Sequence, residues 1–460
     1  MSLHQYLDRS VFAQHAYLPH GWTENVRLHW NVAGDLSQIE ENAAPLPGEP
    51  QAVLLLPGMT NLHSHAFQRA MAGMAEIAGN SQDSFWTWRD LMYRYALHIT
   101  PEQIQAIAAQ LYAECLRHGY TSVCEFHYLH RDPAGAMYAN PAEMAQHVIA
   151  AASQTGIGMT MLPVLYSYAD FNEKPLRDDQ RRFATSVDDI LLLVQKLETM
   201  RSPQLEVGAA PHSLRAASLT QIRDLIQTLP ADRPLHIHIA EQMKEVNACI
   251  VANGRRPVEL LLDSGLVDQR WCLVHATHLT PQEVRDMAAS GAVAGICTTT
   301  EGNLGDGFFD LPAYLAAGGR FGIGSDSHAS YSPVEELRWL EYGQRLRLQG
   351  RNIATSAHQK QIGDFLWQAA LQGGMQASGR AVGQLATACR ADFVILDDTH
   401  PHLAGLPVQH VLNSWIFAGN DNLVRDVYVG GQQVVSNGRH CQQAQIQNVY
   451  LNCMRELRQL

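Results

Sequence analysis

The chain has 460 residues, 46% hydrophobic and 17% charged, with a formal net charge of −12. That composition excludes a disordered chain and supplies more core than one ordinary domain needs. No Lys/Arg cluster marks a nucleic-acid surface and no apolar run reaches the length of a membrane span, so neither nucleic acid nor membrane is an expected partner.

The start, "MSLHQYLDRSVFAQHAYLP", is charged and lacks the apolar stretch of a signal peptide, which makes the cytoplasm the default expectation. Eight scattered cysteines with no C-x-x-C pair are expected to be free thiols. Within 22–56, "VRLHWNVAGDLSQIE" and "QAVLLL" have the pattern of short strands separated by turn residues. From there on, short apolar runs alternate with longer amphipathic stretches. The runs predicted as strands are 57–65, 122–130, 157–167, 205–214, 234–241, 271–279, 292–300 and 320–328. Helical patterns lie between them, as at 101–118 and 280–289. The second opens "TPQEV", a Thr cap before Pro at the first helical position. Eight strands separated by helices predict an α/β fold, a parallel (β/α)8 TIM-like barrel over 57–379. The stretch from His65 to the helix at 101 holds "DSFWTWRDLMYRY", and its 68–100 portion is expected to be a lid or substrate-binding loop. Strand patterns return at 391–397 ("ADFVILD") and 424–435 ("VRDVYVGGQQVV"). Residues 1–56 and 380–460 are therefore expected to form one small β-sandwich module built from both termini.

Polar residues collect at the C-terminal ends of the predicted strands: His63/His65, Glu125/His127/Tyr128, His212/Arg215, His238/Glu241, His275/His278 and Asp326/His328. In a parallel barrel that end carries the active site. Residues i and i+2 of a strand point to one side, so His63 and His65 can aim at one ion. His238 closes the fifth run, with Glu241 three residues on. His236 shares its period but lies deeper, and is expected as a core histidine with a hydrogen-bonded ring. Asp326, in "GIGSDSH", would be a buried carboxylate, which is costly without a cation or partner. Three imidazoles and one carboxylate suit Zn²⁺ or Fe²⁺ with a position left for water. The expectation is one divalent metal, with Zn²⁺ as the default, held by His63, His65, His238 and Asp326.

The marks "PGMTNLHSH", "HIHIAE", "VHATHL" and "GIGSDS" fall in order on strands one, five, six and eight. With the returning β tail, they make the chain resemble the amidohydrolase superfamily over nearly its whole length. Strand four ends in "APHSLRA", with no lysine where dinuclear members carry a bridging carboxylated one, which implies a single metal. The H-x-x-E spacing of His238 and Glu241 resembles the deaminases of that superfamily. A metal in such a site lowers the pKa of water. Glu241 is then expected to carry a proton to the departing nitrogen, His275 to polarise the substrate or hold the nucleophile, and Asp326 to take the water's proton.

The loops "LHSHAFQRAMAG", "FWTWRDLMY", "EFHYLHRD" and "APHSLRA" resemble those of the formimidoylglutamate deiminases. That resemblance implies substrate contacts by Gln68, Arg89, Tyr128, His212 and Arg215. It also implies a small-molecule substrate with an amidine-like head and two carboxylates, each clamped by one arginine. Trp86 and Trp88 are expected to pack the lid, and His278 and His328 to have no role. The family suggests a homodimer. Two other readings stay open: a purine or nucleoside deaminase, such as a guanine or S-adenosylhomocysteine deaminase, and a non-catalytic barrel acting as a binding protein.

Overall fold

The computed structural model describes residues 9–77 and 85–459, without the side chains of residues 85–87. Two arcs of parallel strands make the barrel. Met59–Ser64, Tyr120–His127, Gly158–Leu165 and the split pair Leu205–Val207 and Ala210–Pro211 form the first. Leu235–Ile239, Trp271–His275, Val293–Ile296 and Arg320–Ile323 form the second. Parallel bridges Ala209↔Leu235 and Ser64↔Asp326 close the ring. Tyr120–His127 and Gly158–Leu165 are buried at every position, as strands covered on both faces must be. Strand four breaks at Gly208, where a Cβ would stand 2.4 Å from the Pro234 carbonyl oxygen.

Helices cover the barrel where capping and apolar periodicity coincide. Pro101–Arg117 starts with a reciprocal Thr100–Gln103 box and buries Ile104, Ile107, Ala108, Leu111 and Cys115 along one face. Pro281–Ser290 starts in the same way from Thr280 and Glu283, with Pro in its first turn. Ile362–Ser378 lies against strand eight so closely that a Cβ at Gly373 would be 1.9 Å from the Phe321 oxygen.

Several strands are shorter than their apolar runs. The predicted 271–279 ends at His275, 292–300 ends at Ile296, and 320–328 ends at Ile323. Ala240, His275 and Asp326 have φ of 50°, 67° and 48°, and these left-handed residues turn the chain out of the sheet where the polar side chains begin. The apolar pattern runs on past these turns, and on strand seven into the helix Thr298–Leu304.

The terminal module, expected as a sandwich, is one continuous hydrogen-bonded path of eight strands. Its order is Arg439–His440, Gln432–Ser436, Val424–Val429, Phe393–Leu396, Gln51–Pro57, Ser10–Leu18, Gly21–Trp30, Leu36–Glu40. Gln51–Pro57 pairs in parallel with Ser10–Leu18 and antiparallel with Phe393–Leu396, so it joins the two ends of the chain. Leu28, Leu55, Phe393 and Ile395 are buried in its own core.

The expected 68–100 loop is partly helical: Ala66–Met71 makes a short 3-10 helix and Phe85–Ala96 an α-helix. Met92, Tyr93 and Ala96 bury against the barrel core, and Trp88 packs beside them. Residues 78–84, and the side chain of Trp86, lie outside the described residues. All eight cysteines are unpaired, six of them buried. Among the described residues no helix is long and apolar enough to cross a membrane.

Candidate active site

The seam between strands one and eight sets the site. Asp326 donates its N–H to the His63 carbonyl at 3.0 Å, and His65 donates to the Asp326 carbonyl at 3.3 Å. Asn61 accepts from the Ser325 N–H at 2.9 Å and donates to its hydroxyl at 2.7 Å. A Cβ at Gly324 would stand 2.8 Å from that of His63, so only glycine allows this approach. On strand two, Glu125 accepts from the Ala66 N–H at 2.7 Å, the Ser64 hydroxyl at 2.7 Å and the Tyr112 hydroxyl at 3.0 Å. It thereby pins the chain on both sides of His65. Burial pushes the Glu125 carboxyl up from its ordinary range, with these donors opposing it.

The side chains of His63, His65, His238 and Asp326 converge. His63 Nε2 stands 3.1 Å from His65 Nε2 and 2.9 Å from His238 Nε2, and the latter two are 3.3 Å apart. Asp326 Oδ1 lies 3.2 Å from His65 Nε2 and 3.5 Å from His63 Nε2. His65 Nδ1 donates to the Phe126 oxygen at 2.9 Å, and His238 Nδ1 to the His212 oxygen at 3.1 Å. Those bonds place the ring protons on Nδ1 and leave lone pairs on Nε2 facing one another. Burial holds His63 down to about 3 and His238 well below its usual value, so neutral rings are favoured. Burial alone would raise Asp326, but the adjoining His63 and His65 rings outweigh it and hold the carboxyl well below the ordinary range. Converging lone pairs and one buried carboxylate repel each other unless a cation sits among them. Four ligands about 2.0–2.1 Å from a tetrahedral ion stand roughly 3.3 Å apart, which these separations fit.

The remaining expected residues face one pocket. Gln68, Arg89, Tyr128, His212, Arg215, Glu241, His275 and Asp326 all line it, with His65 and His238. Gln68 donates to the Tyr128 hydroxyl at 2.7 Å, while its amide oxygen is buried without a partner among the described residues. His212 packs 4.6 Å from Tyr166 and 4.9 Å from His238, and burial, then Arg215, keeps it neutral. Arg89 stands over the Tyr93 ring at 5.4 Å. Arg215 is buried; that alone would weaken its charge, but the nearby Glu245 carboxylate restores it. His275 Nε2 is 3.8 Å from Glu241 Oε1 and 3.8 Å from Asp326 Oδ2. Burial pushes the Glu241 carboxyl up to about 7, with His275 opposing and Asp326 adding to the rise.

His236 bonds the Ala377 oxygen at 2.8 Å below this layer. His328 bonds the Ser325 hydroxyl at 2.9 Å, and His278 is half-buried outside the pocket lining. Sequence reasoning missed the neighbours that complete the site. Tyr93 and Tyr166 wall the pocket. Glu245 accepts the Glu241 N–H at 3.3 Å, a contact that its i+4 spacing from Glu241 could have signalled. Glu301 and Asp306 carried no such signal.

Residues 54–434 match the amidohydrolase family, and residues 8–52 match the N-terminal domain of formimidoylglutamate deiminase HutF. The chain belongs to the amidohydrolase family. Among amidohydrolases, it is 51% identical to the formimidoylglutamate deiminase of Pseudomonas aeruginosa over 449 residues, 97% of this chain and 99% of that one. An amidohydrolase structure from Brucella melitensis superposes with a TM-score of 0.92 at 43% identity, over 98% of this chain and 99% of that one. A zinc-bound adenosine deaminase from Xanthomonas campestris reaches 0.79 at 20% identity, over 98% of each chain, and shares the fold. The family's metal dependence agrees with the His63, His65, His238 and Asp326 cluster.

Proposed function

We propose that this amidohydrolase is a formimidoylglutamate deiminase of histidine degradation, converting N-formimino-L-glutamate and water to N-formyl-L-glutamate and ammonia. The observation that carries the reading is one buried pocket holding two guanidinium groups, Arg89 and Arg215, beside Glu241, His275 and Asp326. A substrate with two carboxylates and an amidine head matches that set. A neutral purine carries no carboxylates and would not need two arginines, and a binding protein has no use for a raised carboxyl beside a cation site. The 51% identity to the Pseudomonas deiminase supports the same choice.

His63, His65, His238 and Asp326 would hold one divalent cation, with zinc fitting their donor set. Bound there, a divalent cation would lower the pKa of water and supply hydroxide near neutral pH. Arg89 and Arg215 bind the substrate carboxylates by forked hydrogen bonds. The free oxygen of Gln68 accepts an N–H of the formimino head, and Tyr128, whose oxygen already receives Gln68, directs its own proton to substrate. Neutral His212 closes the wall beside His238. Asp326 accepts the water's proton and His275 orients the reacting centre. Glu241 delivers a proton to the departing nitrogen, which its carboxyl near 7 suits. A cytoplasmic homodimer belongs to the same proposal.

The test is ammonia release from N-formimino-L-glutamate by metal-loaded protein, beside a panel of purines and nucleosides. Turnover of the formimino compound alone supports the reading. Turnover of a purine alone, or of nothing, sinks it.

A further inference from the structure

We propose that Glu301 is the positioning residue of His275, selecting which edge of its ring faces the reacting centre. His275 ends strand six in the left-handed region, with φ of 67°, so no following strand residue fixes its side chain. Its ring stacks on His238 at 5.6 Å with 15° between planes. Stacking sets the plane of the ring but not its direction. A half-turn about the Cβ–Cγ bond preserves the stack and exchanges the Nδ1 edge for a carbon edge.

Glu301 distinguishes the two orientations. Its Oε1 lies 3.2 Å from His275 Nδ1 and also accepts the Cys297 N–H at 3.0 Å. Oε1 already takes the Cys297 N–H as an acceptor, so the ring nitrogen that faces it, Nδ1, carries the hydrogen. Nε2 is thereby aimed at Glu241 Oε1 and Asp326 Oδ2, each 3.8 Å away.

The support is independent of strand six. Glu301 is buried on Thr298–Leu304, the helix that follows strand seven. Thr298 donates to Glu336 Oε2 at 2.9 Å and the Thr299 N–H does so at 3.0 Å, which ties this helix to Pro333–Leu348. Thr300 donates to the Ser325 oxygen at 3.2 Å, beside Asp326. Glu301 and Asp326 are therefore referenced to one frame, and His275 is held between them.

The kinetic consequence rests on the deiminase reading, while the bond itself does not. In metal-loaded protein, Glu301→Gln offers both a donor and an acceptor, so it holds the Nδ1 edge by a weaker neutral bond and no longer fixes which ring nitrogen carries the hydrogen. The expected result is a drop in kcat of about 10–100-fold, with KM and metal content unchanged. In a His275→Ala background the same substitution should cost nothing more, because the two residues act as a unit. A structural role predicts additive losses, and additivity overturns the proposal. Without substrate, nitrogen-15 histidine NMR should show a deshielded Nδ1 proton that is absent in His275→Ala and displaced in Glu301→Gln. An unmoved signal also overturns it. Should Glu301→Gln fail to fold, Glu301→Asp keeps the charge at shorter reach and should lose kcat with KM unchanged; wild-type kcat there overturns the proposal. A wild-type protein inactive on the formimino compound refutes only the deiminase reading, since the NMR signal needs no substrate.

Discussion

Replacing Arg215 by Met tests the carboxylate clamp. Methionine keeps an apolar stem of similar reach and removes the fork. A hydrogen bond to a charged group contributes about 1.5–3 kcal/mol, so a forked pair at the lower end gives roughly 3 kcal/mol. At about 1.4 kcal/mol per tenfold, kcat/KM should fall ~100-fold. The lower end is appropriate because buried Glu245 already shares the guanidinium charge. Ammonia release would be followed with N-formimino-L-glutamate and with two analogues, one lacking the α-carboxylate and one lacking the side-chain carboxylate. Wild type should disfavour each analogue. The Arg215→Met protein should become indifferent to the loss of one of them, because its partner is already gone. Losing Arg215 also removes the leading positive charge acting on buried Glu245, so a lower Tm is expected and each comparison is made within one variant. Equal slowing of all three substrates would refute the clamp and reduce Arg215 to a counter-ion for Glu245.

Glu241→Gln should keep its metal, measured by elemental analysis, and lose most of kcat; near-normal turnover excludes proton delivery from this side chain. Glu125→Ala strips an acceptor from the Ala66 N–H and the Ser64 and Tyr112 hydroxyls. At about 1–3 kcal/mol per unsatisfied buried group, a loss of roughly 3 kcal/mol or more is expected in thermal melts, with weaker metal retention on dialysis. Glu336 is raised by burial to about 8 against an ordinary 4.5, with its threonine donors opposing the rise. The native state thus keeps a proton that the unfolded chain releases, and stability should fall by up to about 1.4 kcal/mol per pH unit between those values. Glu336→Gln should flatten that slope in denaturant titrations, and an unchanged slope refutes the assignment.

The convergence of His63, His65, His238 and Asp326 was legible because its signals are local. A period of two puts His63 and His65 on one side, and a lone aspartate after an apolar run is costly without a cation. The barrel followed from the alternation of runs and caps. What escaped depends on contacts that sequence spacing does not encode. The left-handed turns at Ala240, His275 and Asp326 fall on non-glycine residues, so the predicted strands ran too long. Ser10–Leu18 gained its place by parallel pairing with Gln51–Pro57, a partner some 40 residues away that a local pattern cannot name. Glu301 reads as one acid in a polar stretch, and its bond to His275 exists only because strands six and seven are neighbours. Glu125 was visible at a strand end, but its role in bracing the His65 turn required the first strand beside it.

The bridge between Ser64 and Asp326 closes the barrel, and Asp326 is also one of the four converging side chains that could hold a metal ion. An ion held there cross-links the first and last barrel strands, like a clasp on a bracelet. A ligand that binds only the native chain stabilises it by mass action, by about 2.7 kcal/mol at a hundredfold excess over Kd. Cellular metal supply would then govern the lifetime of the folded chain as well as its activity. In metal-starved cells, unclasped molecules would be the first exposed to proteolysis.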